Sequence, residues 1–206
     1  MGCRSIAKAN PAAEQIKARK PSGKVVVMAL DLGDLASIHT FVTAFRRNYS
    51  SWDDDGFRFF AEKRVLRWLG EPRVQAKLDA SERRALERLC QRLPEMLPAQ
   101  PACLTHGDFW AQNILATADA EPAVIDPAVS YMWAEVDLSH LWCSPHPAEA
   151  RRLFEVYGEV TGRESGWLDR LPLLHLRQHM ALIAMYDHDW GSTEAVRALV
   201  APFRTQ

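Results

Sequence analysis

Helical spacing dominates the pattern of apolar and polar positions. Val25-Val26-Val27-Met28 is a β-branched run between Gly23 and Gly33 and reads as a buried strand. Leu35, Ile38, Val42 and Phe45 then recur at three- and four-residue steps, which predicts a helix over 35–45. A second helix is expected over 54–69, where Phe57, Phe60, Arg64 and Leu66 separate apolar from basic faces and Gly70 with Pro72 ends it. Ser81 is placed to cap a third helix running to Leu93, ahead of Pro94. Past residue 145 the spacing predicts helices over 148–160, 172–186 and 193–203. Between these parts, Ile114-Leu115-Ala116 and Ala123-Val124-Ile125 flank the polar turn Ala118-Asp119-Ala120-Glu121, a hairpin signal. With the turn centred between Asp119 and Ala120, Asn113 lies opposite Asp126, just beyond Asp108.

Composition narrows the class. The chain has 206 residues, is 48% hydrophobic and carries a net charge of −1, enough for one good domain or two small ones. Near-neutral charge excludes a dedicated nucleic-acid binder, and the apolar runs Val25 to Leu30 and Met180 to Met185 are far too short to cross a bilayer. Cys3, Cys90, Cys103 and Cys143 form no C-x-x-C pair and read as reduced thiols of a cytoplasmic protein. Met1-Gly2-Cys3 fails the myristoylation pattern at Ile6. Residues 1–24 hold six basic residues against Glu14 alone and are broken by Pro11 and Pro21, so a solvated, disordered tail is expected, with the folded body at 25–206.

The chemistry-bearing stretch is His106-Gly107-Asp108-Phe109-Trp110-Ala111-Gln112-Asn113, then the hairpin, then Ile125-Asp126-Pro127. Phosphoryl transfer to an alcohol needs a carboxylate that orients the hydroxyl and accepts its proton, plus a hard cation on the nucleotide phosphates. Asp108 offers the base on a loop. Asn113 and Asp126 offer one neutral and one anionic oxygen, a donor set that leaves positive charge on a magnesium ion for polyphosphate. Each residue alone has a plainer reading, since Asp and Asn are ordinary turn formers. The joint spacing is what points to chemistry. His106 reads as a buried structural residue bonded to backbone, and a zinc site on His106 with Asp108 or His140 lacks a third ligand at recognisable spacing. Tyr186-Asp187-His188-Asp189-Trp190 reads as a polar loop ending a helix, and the tryptophans mostly as core rather than sugar platforms.

Trp110 after the His-Gly-Asp loop, Ile125-Asp126-Pro127-Ala128-Val129 with Tyr131, and Glu135-Val136-Asp137-Leu138 carry a resemblance. They resemble the catalytic core of the fructosamine (ketosamine) kinases, a branch of the aminoglycoside phosphotransferase and protein-kinase-like superfamily. Ser51-Trp52-Asp53-Asp54 and Phe59-Phe60-Ala61-Glu62 resemble the family's helical segment ahead of that loop. The resemblance implies an α+β, mostly helical fold: a kinase-like C-terminal lobe with a catalytic-loop β-hairpin and a residual hinge strand. It implies Asp108 as catalytic base, Asn113 and Asp126 as magnesium ligands, and Asp137 as a carboxylate holding the loop by its backbone amides. Val25–Leu30 becomes the hinge strand, with Met28, Ala29 and Leu30 meeting the adenine of ATP.

Two departures shape the functional expectation. Ala111-Gln112 stands where the family usually has Ser-Gly, which alters the acceptor pocket. Upstream of Val25 the basic stretch is too short and proline-broken for the family's N-terminal lobe, so Asp31-Leu32-Gly33-Asp34 and Lys24 cannot replace its glycine loop and lysine. The expected function is ATP- and magnesium-dependent phosphorylation of a hydroxyl on a small sugar-derived or ketosamine-type molecule. The alternatives are a catalytically silent lobe that acts as a binding protein or is a gene remnant, and a metal-dependent hydrolase; a partner or a second copy is expected to cover the apolar surface where the N-terminal lobe would pack.

Overall fold

The computed structural model describes residues 2–3, 5–18, 27–31, 34, 36–37, 40–41, 55–119 and 121–204. The chain divides into two compact units, Met1–Trp52 and Asp53–Gln206.

In the first unit, strand β1 (Gly2–Cys3) pairs in parallel with β2 (Met28–Ala29), and helix α1 spans Ile6–Ala18. Within the stretch expected as a solvated tail, residues 2–3 and 6–18 therefore form a strand and a helix, and 19–24 lie outside the described residues. Ala9 and Ala13, one helical turn apart, are buried. Alanine is the best helix former and needs no side-chain ordering, which outweighs the loss at Pro11 inside the helix. The strand at 25–30 is found only at Met28–Ala29; Val25 and Val26 lie outside the described residues, and Ala29 is exposed rather than buried. Most of the helix expected over 35–45 also falls outside them. Ala36, Ser37, Thr40 and Phe41 are helical, and Asp34 Oδ1 accepts the Ala36 N–H at 2.9 Å, as an N-terminal cap does.

In the second unit Asp55 caps α2 (Gly56–Arg58), its Oδ1 accepting from the Phe57 and Arg58 amides at 3.0 and 3.1 Å. The helix expected over 54–69 continues as a π-helical stretch, Phe59–Val65, and a 3₁₀ turn, Leu66–Trp68. The wider turn puts Phe60 and Val65, five residues apart, on one buried face and leaves Arg64 half-exposed. Pro72, expected only to stop a helix, also starts α3 (Pro72–Lys77), where its missing N–H costs nothing. Helix α4 (Ala80–Gln91) is capped by Asp79 and not by Ser81. Asp79 and Glu82 form a reciprocal capping box, each carboxylate accepting the other's amide at 2.8 Å. A short α5 (Leu93–Met96) follows.

Strand β3 (Cys103–Thr105) pairs antiparallel with β6 (Ser130–Met132), a sheet not expected from the sequence, and β4 (Ile114–Ala116) pairs with β5 (Pro122–Val124). The hairpin exists, but its register is one residue away from the expectation. Ile114 faces Val124, and Thr117 closes the loop by donating its N–H to Glu121 O at 2.9 Å. The Glu121 N–H returns to Thr117 Oγ1 at 3.1 Å, which favours an odd-numbered connection. The remaining helices are α6 (Ala134–Cys143), α7 (Ala150–Thr161), α8 (Leu171–Leu174), α9 (Leu176–Met185) and α10 (Ser192–Val200). The single helix expected over 172–186 is broken at His175.

Phe60, Val74, Leu86, Leu93, Leu174, Met180, Ile183 and Val200 are fully buried and form one apolar core. Around it, α9 packs on α3, on α10 and on the π-helical stretch. Two buried carboxylates tie the helices together. Glu82 accepts from Arg197 at 2.9 Å and from Arg204, and Glu135, wholly buried, takes both Arg170 forks at 2.6 Å with Arg163 at 3.2 Å.

Candidate active site

The loop after β3 is held at every peptide group leading to Asp108. Thr105 Oγ1 donates to Ser130 O at 2.8 Å, fixing the end of β3 to β6. The His106 and Gly107 amides donate to the two oxygens of Asp137, in the first turn of α6, at 2.6 and 2.8 Å. Gly107 O accepts from Arg177 Nη2 of α9 at 2.6 Å. Burial pulls the Arg177 guanidinium down to about 10, which leaves it charged at neutral pH. Gly107 adopts φ +80°, and a Cβ there would stand 1.9 Å from Ala128 O, so only glycine fits. The Asp108 N–H reaches back to His106 Nδ1 at 3.3 Å, the backbone bond expected of that histidine, although its side chain is only half-buried.

Asp108 is thus presented on a fixed backbone with its side chain 35% exposed. The 3₁₀ turn Ala111–Asn113 buries Asn113, whose Nδ2 donates to Asp108 O at 2.9 Å and to Asp108 Oδ2 at 3.0 Å. With its nitrogen so committed, Asn113 keeps Oδ1 as an acceptor. The Ile125 N–H donates to Asn113 O at 3.0 Å, extending the hairpin ladder by one pair. Asn113 therefore faces Ile125, and Asp126 comes one residue later, exposed and at φ +51°. That left-handed conformation is uncommon outside glycine, though Asp tolerates it, and here it sits before Pro127.

The structure thus joins Asp108 to Asn113 directly and sets Asp126 at the adjoining strand end. Met28 and Ala29 form β2 of the Met1–Trp52 unit, and Leu30 follows that strand as irregular chain. Among the described residues no three His, Cys, Asp or Glu side chains are grouped to hold a metal ion. The candidate set is instead the carboxamide of Asn113 and the carboxylate of Asp126, an all-oxygen set suited to a hard cation.

Sequence spacing brings His140 only into the rejected zinc set and leaves Arg177 unmarked. Asp137 and His140 stand three apart on α6 and so share a face, a relation that spacing shows only where the segment is helical. His140 Nδ1 lies 3.4 Å from Asp108 Oδ1, and burial pulls its pKa down to about 4.

Elsewhere, Asp187 pairs with Arg73 and Asp189 with Lys77, both at 2.8 Å, so the 186–190 loop is braced by ion pairs as a polar loop should be. Trp133 and Trp167 are buried in the core, and Trp142 and Trp167 both line a cavity of about 670 Å³ that none of Asp108, Asn113 and Asp126 touches. Cys90, Cys103 and Cys143 are free thiols, with burial pushing Cys90 up to about 12. No helix among the described residues is long and apolar enough to cross a membrane.

The fructosamine kinase family model matches residues 38–200, most of the chain and the whole of this loop and hairpin. The chain belongs to the fructosamine kinase family. Among curated relatives, a protein named as a ketoamine kinase in Enterococcus faecium is 26% identical, over 69% of this chain and 52% of its own. A chloroplastic protein-ribulosamine 3-kinase of Arabidopsis thaliana is 28% identical, over 64% of this chain and 40% of its own. The chain spans about half the length of the curated relatives it matches. A solved structure named as a fructosamine-3-kinase, from Thermobifida fusca, superposes with a TM-score of 0.64 at 26% identity, covering 73% of this chain and 53% of that one. The mostly helical, kinase-like fold expected from the sequence is the fold found.

Proposed function

We propose that this chain transfers the γ-phosphoryl group of ATP to a hydroxyl of a small sugar-derived amine of the ketosamine type. The observation that carries the reading is Asp108: a half-exposed carboxylate with one oxygen held by Asn113, on a loop whose amides and carbonyl are fixed by Asp137 and Arg177. Transfer to an alcohol depends on such positioning far more than on covalent help from the protein. Asp108 orients the acceptor hydroxyl and takes its proton. Asn113, through Oδ1, and Asp126 are the residues that would hold magnesium, and their all-oxygen set fits that ion. When bound, the ion neutralises charge on the nucleotide phosphates. The adenine-facing role of Met28, Ala29 and Leu30 rests on the sequence resemblance.

The relatives, named as kinases, give no support to the silent-lobe alternative. Incubation with magnesium, ATP and a ketosamine, followed by ³¹P NMR, should show a phosphomonoester on the acceptor. Asp108→Asn should lower its rate by about 10²–10⁴-fold. Equal rates in the variant and the wild type would remove Asp108 as the base. Free phosphate formed without an acceptor would favour the hydrolase instead.

A further inference from the structure

Helix α6 sends two side chains to the catalytic loop. Asp137 clamps its amides, and His140, three residues on, meets the catalytic side chain itself. The His140 ring is buried, lies parallel to that of Trp110 at 6.2 Å between centroids and 9° between planes, and has the His175 ring 5.5 Å away. Its Nδ1 is sealed from solvent without a hydrogen bond and faces Asp108 Oδ1 at 3.4 Å. The other carboxylate oxygen, Oδ2, is the one held by Asn113. The imidazole is neutral at pH 7, because burial disfavours its cation more than Asp108 favours it and Arg177, His106 and His179 add to the penalty. A neutral ring has one N–H and one lone pair. A lone pair at Nδ1 would repel the carboxylate oxygen, whereas an N–H there is attracted.

We propose that His140 is a positioning residue for Asp108, donating its Nδ1–H to Oδ1 so that His140 and Asn113 together fix both oxygens of the carboxylate. Each oxygen keeps a second lone pair, so the carboxylate can still accept the proton of an alcohol. The contact is loose in the free chain, as catalytic hydrogen bonds often are before substrate closes them. The inference rests on the phosphotransfer reading of Asp108, and its first test does not need turnover.

¹⁵N-edited NMR of the full chain reads the His140 tautomer. The Nδ1–H form is expected, with signals that shift in the Asp108→Asn variant. An Nε2–H form that ignores Asp108→Asn overturns the proposal. In turnover, His140→Phe keeps a ring without the donor and should lower kcat about 10-fold while leaving KM for ATP within about twofold. His140→Asn, whose amide reaches the position of Nδ1, should recover most of that loss, and thermal melts confirm that both variants fold. A Phe variant as fast as wild type, or an Asn variant no better than Phe, also overturns it. Absence of turnover in the wild type would overturn the phosphotransfer reading instead, and the tautomer would still decide the His140 contact.

Discussion

Acidification should unfold this protein through three histidines that the core keeps neutral. His140, His175 and His179 form a chain of rings with centroids 5.5 and 4.5 Å apart, running from Asp108 to Ser192, whose Oγ meets His179 Nδ1 at 3.1 Å. Burial is the largest cause in each case, and it pulls His140 and His179 down to about 4 and His175 to about 2. The unfolded imidazole titrates near 6.5, so below that pH the unfolded chain binds protons that the folded chain refuses, and stability falls as pH falls. Between about pH 7 and about pH 5 each histidine costs about 2 kcal/mol, and the three together about 6 kcal/mol. That is a large part of the roughly 5–15 kcal/mol that holds a domain folded. The window closes near about 4 for His140 and His179 and near about 2 for His175. Asp189, held down to about 2 by Lys77 and Thr193, adds its own loss only below about pH 4. Urea unfolding at a series of pH values should give a slope approaching three protons near about pH 5, and His175→Phe should take one proton out of it. A stability curve flat from about pH 6.5 to about pH 4.5, or an unchanged slope in the variant, would refute the reasoning.

Other consequences follow from single contacts. Gly107→Ala forces a Cβ against Ala128 O at φ +80° and should cost at least about 2 kcal/mol in urea unfolding; wild-type stability would show that the loop is not so confined. Asp137→Asn sets an amide N–H₂ against one of two backbone donors and should cost about 2 kcal/mol, with faster hydrogen exchange at the His106 and Gly107 amides. Unchanged exchange would remove Asp137 as the clamp. Glu135→Gln strips the wholly buried charge that faces Arg163 and Arg170, and should lower stability by about 3–5 kcal/mol. A smaller effect would mean that solvent compensates both guanidinium groups.

The candidate site was more legible in the sequence than the scaffold beneath it. Asp108, Asn113 and the hairpin stood out because turn residues and β-branched runs bracket them at short range. The register differs by one from the spacing because Thr117 closes the loop with its own side chain, a contact that the pattern of turn residues does not reveal. Asn113 and Asp126 still end up at adjoining positions, since the left-handed residue Asp126 turns the chain there. Helix α6 was hidden for a different reason. It is buried nearly all round, with Glu135, Ser139 and His140 inside alongside Val136, Leu138 and Leu141, so no polar face sets a period. With α6 unseen, the pairing of Asp137 and His140 towards one loop could not be drawn from spacing. Helix α1 shows the opposite error, where Pro11 and a lack of bulky residues concealed a run of alanines. Strands β3 and β6 are three residues each, too short for alternation to register.

The most direct test of the account is calorimetric titration of ATP into the chain with and without magnesium, repeated on Asp126→Asn. The account predicts a binding heat that needs the ion and falls at least about 10-fold in affinity when the Asp126 charge is removed. Identical affinity in the variant, or binding indifferent to magnesium, would contradict it.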